Sequence, residues 1–269
     1  MNQERIHYSL LEGKSYMPVA DARFLQRSEA PALAYAHEAG TGPLVVWLGG
    51  FKSDMAGAKA EALAAWARDR GQAFLRFDYS GHGQSEGDFI DFRISRARQD
   101  VLDILAAVAP KDDLLLIGSS MGGWMTLLTA AALKERVKAM LMIAPAPDFT
   151  ARLMEPGFDA AARRDLAEKG VWMRPSLYEE PYPITQAFLD DGRRWSVLDA
   201  PVLFDGPVRI LQGQQDLDVP WRHALLAAEK ITSPDVQIRL IKDGDHRLSR
   251  PKDIALLLRE LDALLTEIS

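Results

Sequence analysis

The stretch LLLIGSSMGGWMTLLTAAAL, Leu114 to Leu133, constrains the fold of this chain more than any other. Four apolar residues in a row suit a strand buried on both faces of a sheet. Gly118-Ser119-Ser120-Met121-Gly122 then turns the chain, and an Ala/Leu/Thr-rich run of helical length follows. Strand, G-x-S-x-G, helix is a context in which a serine stands on a strained turn at the strand's C-terminal end, above a helix N-terminus. A Cβ at either flanking glycine would crowd that turn or the neighbouring strand. The same letters also fit an ordinary strand-to-helix turn with a serine N-cap. The pentapeptide does not choose between the two; the rest of the chain must.

On both sides of this stretch, strand and helix patterns alternate. Strands are expected at 5–11, 33–38, 44–48, 73–78, 137–143, 207–211 and 236–241, and helices at about 55–70, 94–108, 221–231 and 252–268. Ser53 or Asp54 is a candidate cap for the first helix, Gly71 ends it, and Pro110 stops the second. The first two strands, joined by a turn-rich stretch, read as an antiparallel edge hairpin or meander. Alternation elsewhere implies parallel crossovers with helices on both faces. The fold class is therefore α/β, a mostly parallel eight-stranded sheet flanked by helices.

From Asp148 to Asp205 the alternation breaks. Prolines stand at 156, 175, 181, 183 and 201, among scattered aromatics that include Phe149, Trp172, Tyr178 and Phe188. Residues 148–205 read as an inserted cap of short helices and loops on a core formed by 1–147 and 206–269. Aromatics in such a lobe usually build its own small core, although a lid over an apolar pocket must be lined by some of them.

The bulk numbers exclude several functions. With 269 residues, 48% of them hydrophobic, the chain can bury a sizeable core. A net charge of −6 leaves no basic excess for a nucleic-acid partner. There is no cysteine, so disulfides, thiolate catalysis and cysteine-ligated metals are excluded. The N-terminal MNQERIHYSLLEGK has no apolar run fit for a signal peptide, nothing resembles a membrane-spanning helix, and a cytoplasmic protein is expected.

In open α/β sheets, function lies in the loops at the C-terminal ends of the strands. Ser120 follows the central strand, Asp216 the strand at 207–211, and His246 the last strand. The order Ser, Asp, His, each on its own loop, is far more specific than the pentapeptide alone. The rivals read as structural: His7 and His37 lie in strands, His223 on a helix, and His82 in a Gly-rich loop near the site, the one among them to watch. Asp218 reads as a cap for the following helix, and Asp245, next to His246, as a turn residue.

The segments GGFKSDMAGAKA, AFLRFDYSGHGQSEG, LIGSSMGGWM, GVWMRPS, ILQGQQDLDVPW and GDHRLSR resemble the serine hydrolases of the α/β-hydrolase superfamily. More narrowly, they are similar to the subgroup of abhydrolase domain-containing protein ten, which comprises palmitoyl-protein thioesterases and acyl-glucuronide esterases. The likeness runs from about Leu44 to the C-terminus and includes the cap. It implies Ser120 as nucleophile, His246 as base and Asp216 as acid, with the backbone N–H groups of Phe51 and Met121 as the oxyanion hole. It also implies a small-molecule acyl ester or thioester as partner, S-acylated protein included, with no cofactor and no metal. The first forty residues carry little of the likeness and nothing like a transit peptide, so a mitochondrial address is not expected to carry over.

A Ser-His-Asp set serves thioesters and oxyesters alike, so the substrate class falls to the cap and pocket. Phe51, Trp124, Trp172 and Tyr178 are candidates for the pocket wall. Trp124 could equally pack its helix against a neighbour. A C–C bond hydrolase and a non-catalytic binding module on the same fold are the alternatives. A haloalkane dehalogenase would need an aspartate where Ser120 stands, and the Gly-rich loops lack the G-K-[ST] of a phosphate-binding loop.

Overall fold

The computed structural model describes residues 19–175 and 180–268. The expectations for residues 5–11, His7 and Tyr178 lie outside the described residues. The main sheet contains β1 (Arg23–Leu25), β2 (Leu33–Glu38), β3 (Thr41–Leu48), β4 (Gln72–Phe77), β5 (Leu114–Ser119) and β6 (Val137–Ile143). After the 148–205 excursion, β9 (Val208–Gly213) and β10 (Val236–Ile241) complete it. Its eight strands run in the order β1-β2-β4-β3-β5-β6-β9-β10. Pairings β1/β2 and β2/β4 are antiparallel and all others parallel. The edge partner of β2 is thus 23–25, in the stretch read from sequence as turns.

Side-chain alternation along the inner strands divides the core in two. On one face, Leu44, Val46, Leu48, Leu114 and Leu116 pack with helices α2 (Ile94–Val108), α3 (Met121–Ala132) and α6 (Trp221–Lys230). On the other, Val45, Trp47, Leu115 and Ile117 meet α1 (Ala58–Arg70) and α7 (Pro251–Glu267) through Leu63, Trp66, Leu257 and Leu261. Each inner strand is buried on both sides, which is why it reads as a continuous apolar run. Helix α1 starts three residues later than the pattern suggests. Asp54 and Ser53 are used in the turn before it: Asp54 Oδ1 accepts the Ala56 N–H, and Ser53 Oγ donates to the Gly50 carbonyl. Gly57 is left as an N-cap without a side-chain bond.

The excursion holds a π-helical turn (Thr150–Met154), a 3-10 turn (Glu155–Gly157), α4 (Ala160–Lys169) and α5 (Gln186–Arg194). It also holds an antiparallel pair, β7 (Val171–Arg174) and β8 (Tyr182–Thr185), which the expectation of short helices and loops omits. Its two ends are tied together by Asp148, which is 1% exposed. That carboxylate accepts from Ser196 Oγ and from the N–H groups of Val197 and Leu198. A buried carboxylate is tolerable only when saturated in this way.

Candidate active site

The turn after β5 is tight because two glycines allow backbone to touch backbone. A Cβ on Gly118 would stand 2.3 Å from the Gly122 carbonyl oxygen, and one on Gly122 only 1.9 Å from the Leu48 carbonyl oxygen. No other residue fits either position, and the end of β3 therefore lies directly against the start of α3. Ser120 between them has φ 56° and ψ −117°. Such a conformation costs a non-glycine residue roughly 1–3 kcal/mol and persists only when the surroundings enforce it. Here the Ser120 N–H donates to the Ile143 carbonyl, and its own carbonyl accepts from Gly123 and Ala146.

Ser120 Oγ lies 3.1 Å from His246 Nε2. His246 Nδ1 lies 2.8 Å from Asp216 Oδ2. Asp216 is bonded at both oxygens: Oδ1 accepts the N–H groups of Asp218 (2.9 Å) and Val219 (2.8 Å), and Oδ2 accepts Gln212 Nε2 (3.0 Å). As an acceptor, Asp216 selects the tautomer with the proton on Nδ1, which leaves Nε2 to accept the Ser120 hydroxyl proton. A hydroxyl bonded to an imidazole that a buried carboxylate orients is the arrangement of an activated oxygen nucleophile. Asp216, Asp218 and His246 also present ligand atoms within 4.8 Å of one another. A cation among them would have to displace the Nδ1–H bond to Oδ2.

The structure thus brings Ser120, His246 and Asp216 together from three loops at one sheet edge. Asp218 does not cap α6, whose N-cap is Pro220 without a side-chain bond. Asp245 does serve its turn, accepting the Leu248 N–H. The backbone N–H groups of Phe51 and Met121 have no hydrogen-bond partner among the described residues. The Gly50–Phe51 turn lies against the serine: a Cβ on Gly50 would be 3.4 Å from Ser120 Cβ.

The aromatic candidates separate. Phe51 is half-buried, stacks on Phe188 at 5.3 Å and lies within 6.2 Å of Phe89, Phe92, Phe149 and Tyr182. Trp124 is fully buried, donates Nε1–H to the Trp195 carbonyl and meets Phe149 edge-on. These contacts accord with the second of its two readings, packing of the helix: the indole fastens α3 to the excursion. Trp172, in β7, packs edge-on against Phe158 within the excursion. Sequence reasoning does not single out Gln212, the only signal for which is a buried amide closing the apolar strand VRILQG. It also leaves His82 without a contact, and that contact is with Lys52.

Comparison with known proteins adds to this geometry. A family model described as "Alpha/beta hydrolase family" matches residues 19–255. The mouse palmitoyl-protein thioesterase ABHD10 is 38% identical over 252 residues, covering 93% of this chain and 84% of the mouse protein. The crystal structure of a putative hydrolase from Agrobacterium vitis S4 superposes with a TM-score of 0.86 at 41% identity, covering 91% of this chain and 98% of that one. The structure of mouse alpha/beta hydrolase domain-containing protein 10 gives 0.85 at 37%, covering 93% and 100%. The mouse protein is named mitochondrial, as are its rat and human counterparts. That overturns the cytoplasmic expectation, which leaned on the composition of the N-terminal residues. Among the described residues, no helix is long and apolar enough to cross a membrane.

Proposed function

The chain belongs to the α/β hydrolase family, in the group of the ABHD10 thioesterases, and from that premise we propose that it is a serine hydrolase cleaving acyl thioesters and carboxylic esters through Ser120, His246 and Asp216. The observation that carries the reading is the unbroken chain of contacts from Ser120 Oγ to His246 (3.1 Å) and from His246 to Asp216 (2.8 Å). Ser120 Oγ attacks the acyl carbonyl as His246 Nε2 takes its proton. Asp216 holds the Nδ1–H tautomer and stabilises the imidazolium. The N–H groups of Phe51 and Met121 receive the tetrahedral oxyanion, each such donor lowering the barrier by about 2.7–4 kcal/mol. His246 returns its proton to the departing thiolate or alkoxide. Water, deprotonated by the same imidazole, then releases the acid from Ser120.

We assign the substrate as an acyl group carried on a thiol or hydroxyl, S-acylated protein included. The names of the relatives and the aromatic surroundings of Phe51 support this. Residues 148–205, which supply Phe149, Tyr182 and Phe188 to those surroundings, act as the cap that selects the acyl chain.

Two measurements test the reading. A fluorophosphonate probe should label the intact chain and leave Ser120→Ala unlabelled; persistent labelling of the variant would refute the nucleophile. A panel of p-nitrophenyl esters of rising chain length, an acyl-CoA and an S-acylated peptide should all be hydrolysed to measurable extents. Turnover confined to a carbon–carbon cleavage substrate would replace the ester reading.

A further inference from the structure

His82 takes no part in the proposed chemistry, yet it is built into the wall beside it. We propose that His82 is a positioning residue for the oxyanion-binding backbone: its ring nitrogen Nε2 accepts the Lys52 N–H and so fixes the turn that presents the Phe51 N–H. The inference rests on the reading of Phe51 as an oxyanion donor given above.

The Lys52 N–H lies one peptide beyond that of Phe51, and it meets His82 Nε2 at 3.1 Å. Lys52 has φ 59°, in the left-handed region that a lysine adopts only under constraint. Within the turn, Ser53 bonds the Gly50 carbonyl through its N–H (3.2 Å) and through Oγ (2.8 Å). His82 adds a third tie, from a different loop. Its ring cannot turn away. It is 5% exposed, with Phe92 and Phe89 edge-on at 4.7 and 5.2 Å and Tyr79 at 6.0 Å.

The tautomer follows from the partners. Nε2 faces an N–H and must accept, so the proton sits on Nδ1, which faces the Ser80 carbonyl at 3.3 Å. A second proton would destroy the acceptor. Burial among aromatic rings, reinforced by the Lys52 charge and only partly offset by the Ser80 carbonyl, holds the imidazole down to about 4. Nε2 therefore keeps its lone pair at neutral pH. Packing alone would not require nitrogen at this position. A phenyl ring fills the same space among Phe89 and Phe92 but has no acceptor to offer the Lys52 N–H, and a mispositioned oxyanion donor loses most of its worth.

The test compares His82→Phe with His82→Gln, whose carbonyl oxygen reaches the place of Nε2. Both are assayed with p-nitrophenyl butyrate and with a trifluoromethyl ketone that forms a tetrahedral adduct at the serine. The Phe variant should lose about 10–100-fold in kcat, with KM within about twofold, and bind the ketone weaker by a similar factor. The Gln variant should recover most of both. A Phe variant with kcat within twofold of the parent overturns the proposal. So do equal losses in both variants that track their melting temperatures. Ring-nitrogen NMR of the unaltered protein is independent of how the variants fold. It should show His82 with a bare Nε2 and a protonated Nδ1, and a proton on Nε2 overturns the assignment. A parent unable to hydrolyse esters, or a Ser120→Ala variant with parental activity, would instead defeat the site reading beneath it, and this inference with it.

Discussion

Two loops at the same sheet edge each carry a histidine, and they hold it by opposite means. In residues 242–250, His246 keeps about a quarter of its side chain exposed and pairs with a carboxylate. The loop is pinned mainly from outside, by Arg250 and Lys252 on the exposed Asp243 and by Lys59 on the Arg247 carbonyl. In residues 78–88, His82 is buried among rings, and its neighbours are a carbonyl and an amide. That loop is pinned from inside. Asp78 accepts the N–H groups of Met55 and Gln84, and Asp100 accepts both the Ser80 N–H and the Arg27 guanidinium. One imidazole thus has a carboxylate to orient it and water beside it; the other has neither, and burial among rings disfavours a second proton on it. Contact with the serine, a carboxylate partner and access to water all fall to His246, and His82 has none of the three.

The largest effect should fall on the first loop. His246→Ala and Ser120→Ala should each lose about 10⁴–10⁶ in kcat while their circular dichroism and melting profiles stay parental. If steady-state hydrolysis of a p-nitrophenyl ester falls no further in His246→Ala than in His82→Phe, the contrast between the loops is wrong. Asp216→Asn should come next, at about 10⁴ in kcat, because the amide would stabilise the wrong tautomer of His246. Near-normal turnover in that variant would show that the carboxylate is dispensable.

The inner fastening of the second loop should appear as a pH dependence of stability. Burial raises Asp78 to about 7, against the opposing effect of its two N–H donors. Between its unfolded value near 4 and about 7, the folded chain holds a proton that the unfolded chain has released. The contribution of this group to stability is therefore greatest at the acid end, declines as pH rises toward 7, and is constant above. Asp78→Asn removes this slope. In urea titrations the parent should lose about 2 kcal/mol more than the variant between pH 5 and pH 8; parallel losses would place the charge elsewhere. The smallest effect should come from the exposed pins of the first loop. Lys252→Ala should change kcat by less than about threefold, and 0.5 M salt should mimic it in the parent, because exposed pairs such as Lys252–Asp243 contribute about 0–1 kcal/mol and are screened. A tenfold loss would mean that the outer fastening matters as much as the inner.

Most of the sheet was legible because β3, β5, β6 and β9 are buried on both faces and so read as apolar runs, and α2 was delimited by its amphipathic stripe and Pro110. Local patterns misled where a side chain had a choice of partner. Ser53 and Asp54 look like caps but serve a turn, and Asp218 looks like a cap but Pro220 stands in that position. β1 escaped notice because three half-exposed residues at a sheet edge carry no periodic signal. The β7–β8 pair hid within the proline-broken stretch, since an antiparallel pair with a proline in one strand differs little from loop by composition.

The sequence by itself determined the order of the chemistry: a serine between glycines, then an aspartate, then a histidine, each just past an apolar strand. Those are facts of spacing along one strand or turn, and local sterics suffice to express them. Only the tertiary structure decided which aspartate and which histidine meet. Asp216 and His246 are 30 residues apart, and Ser120 is 126 residues from His246; their contact exists because parallel crossovers bring three strand ends to one edge. It likewise decided that Trp124 is a fastener and that His82 answers to Lys52, because a hydrogen-bond partner is chosen by what folding brings within about 3 Å, and no residue carries that choice in its own side chain.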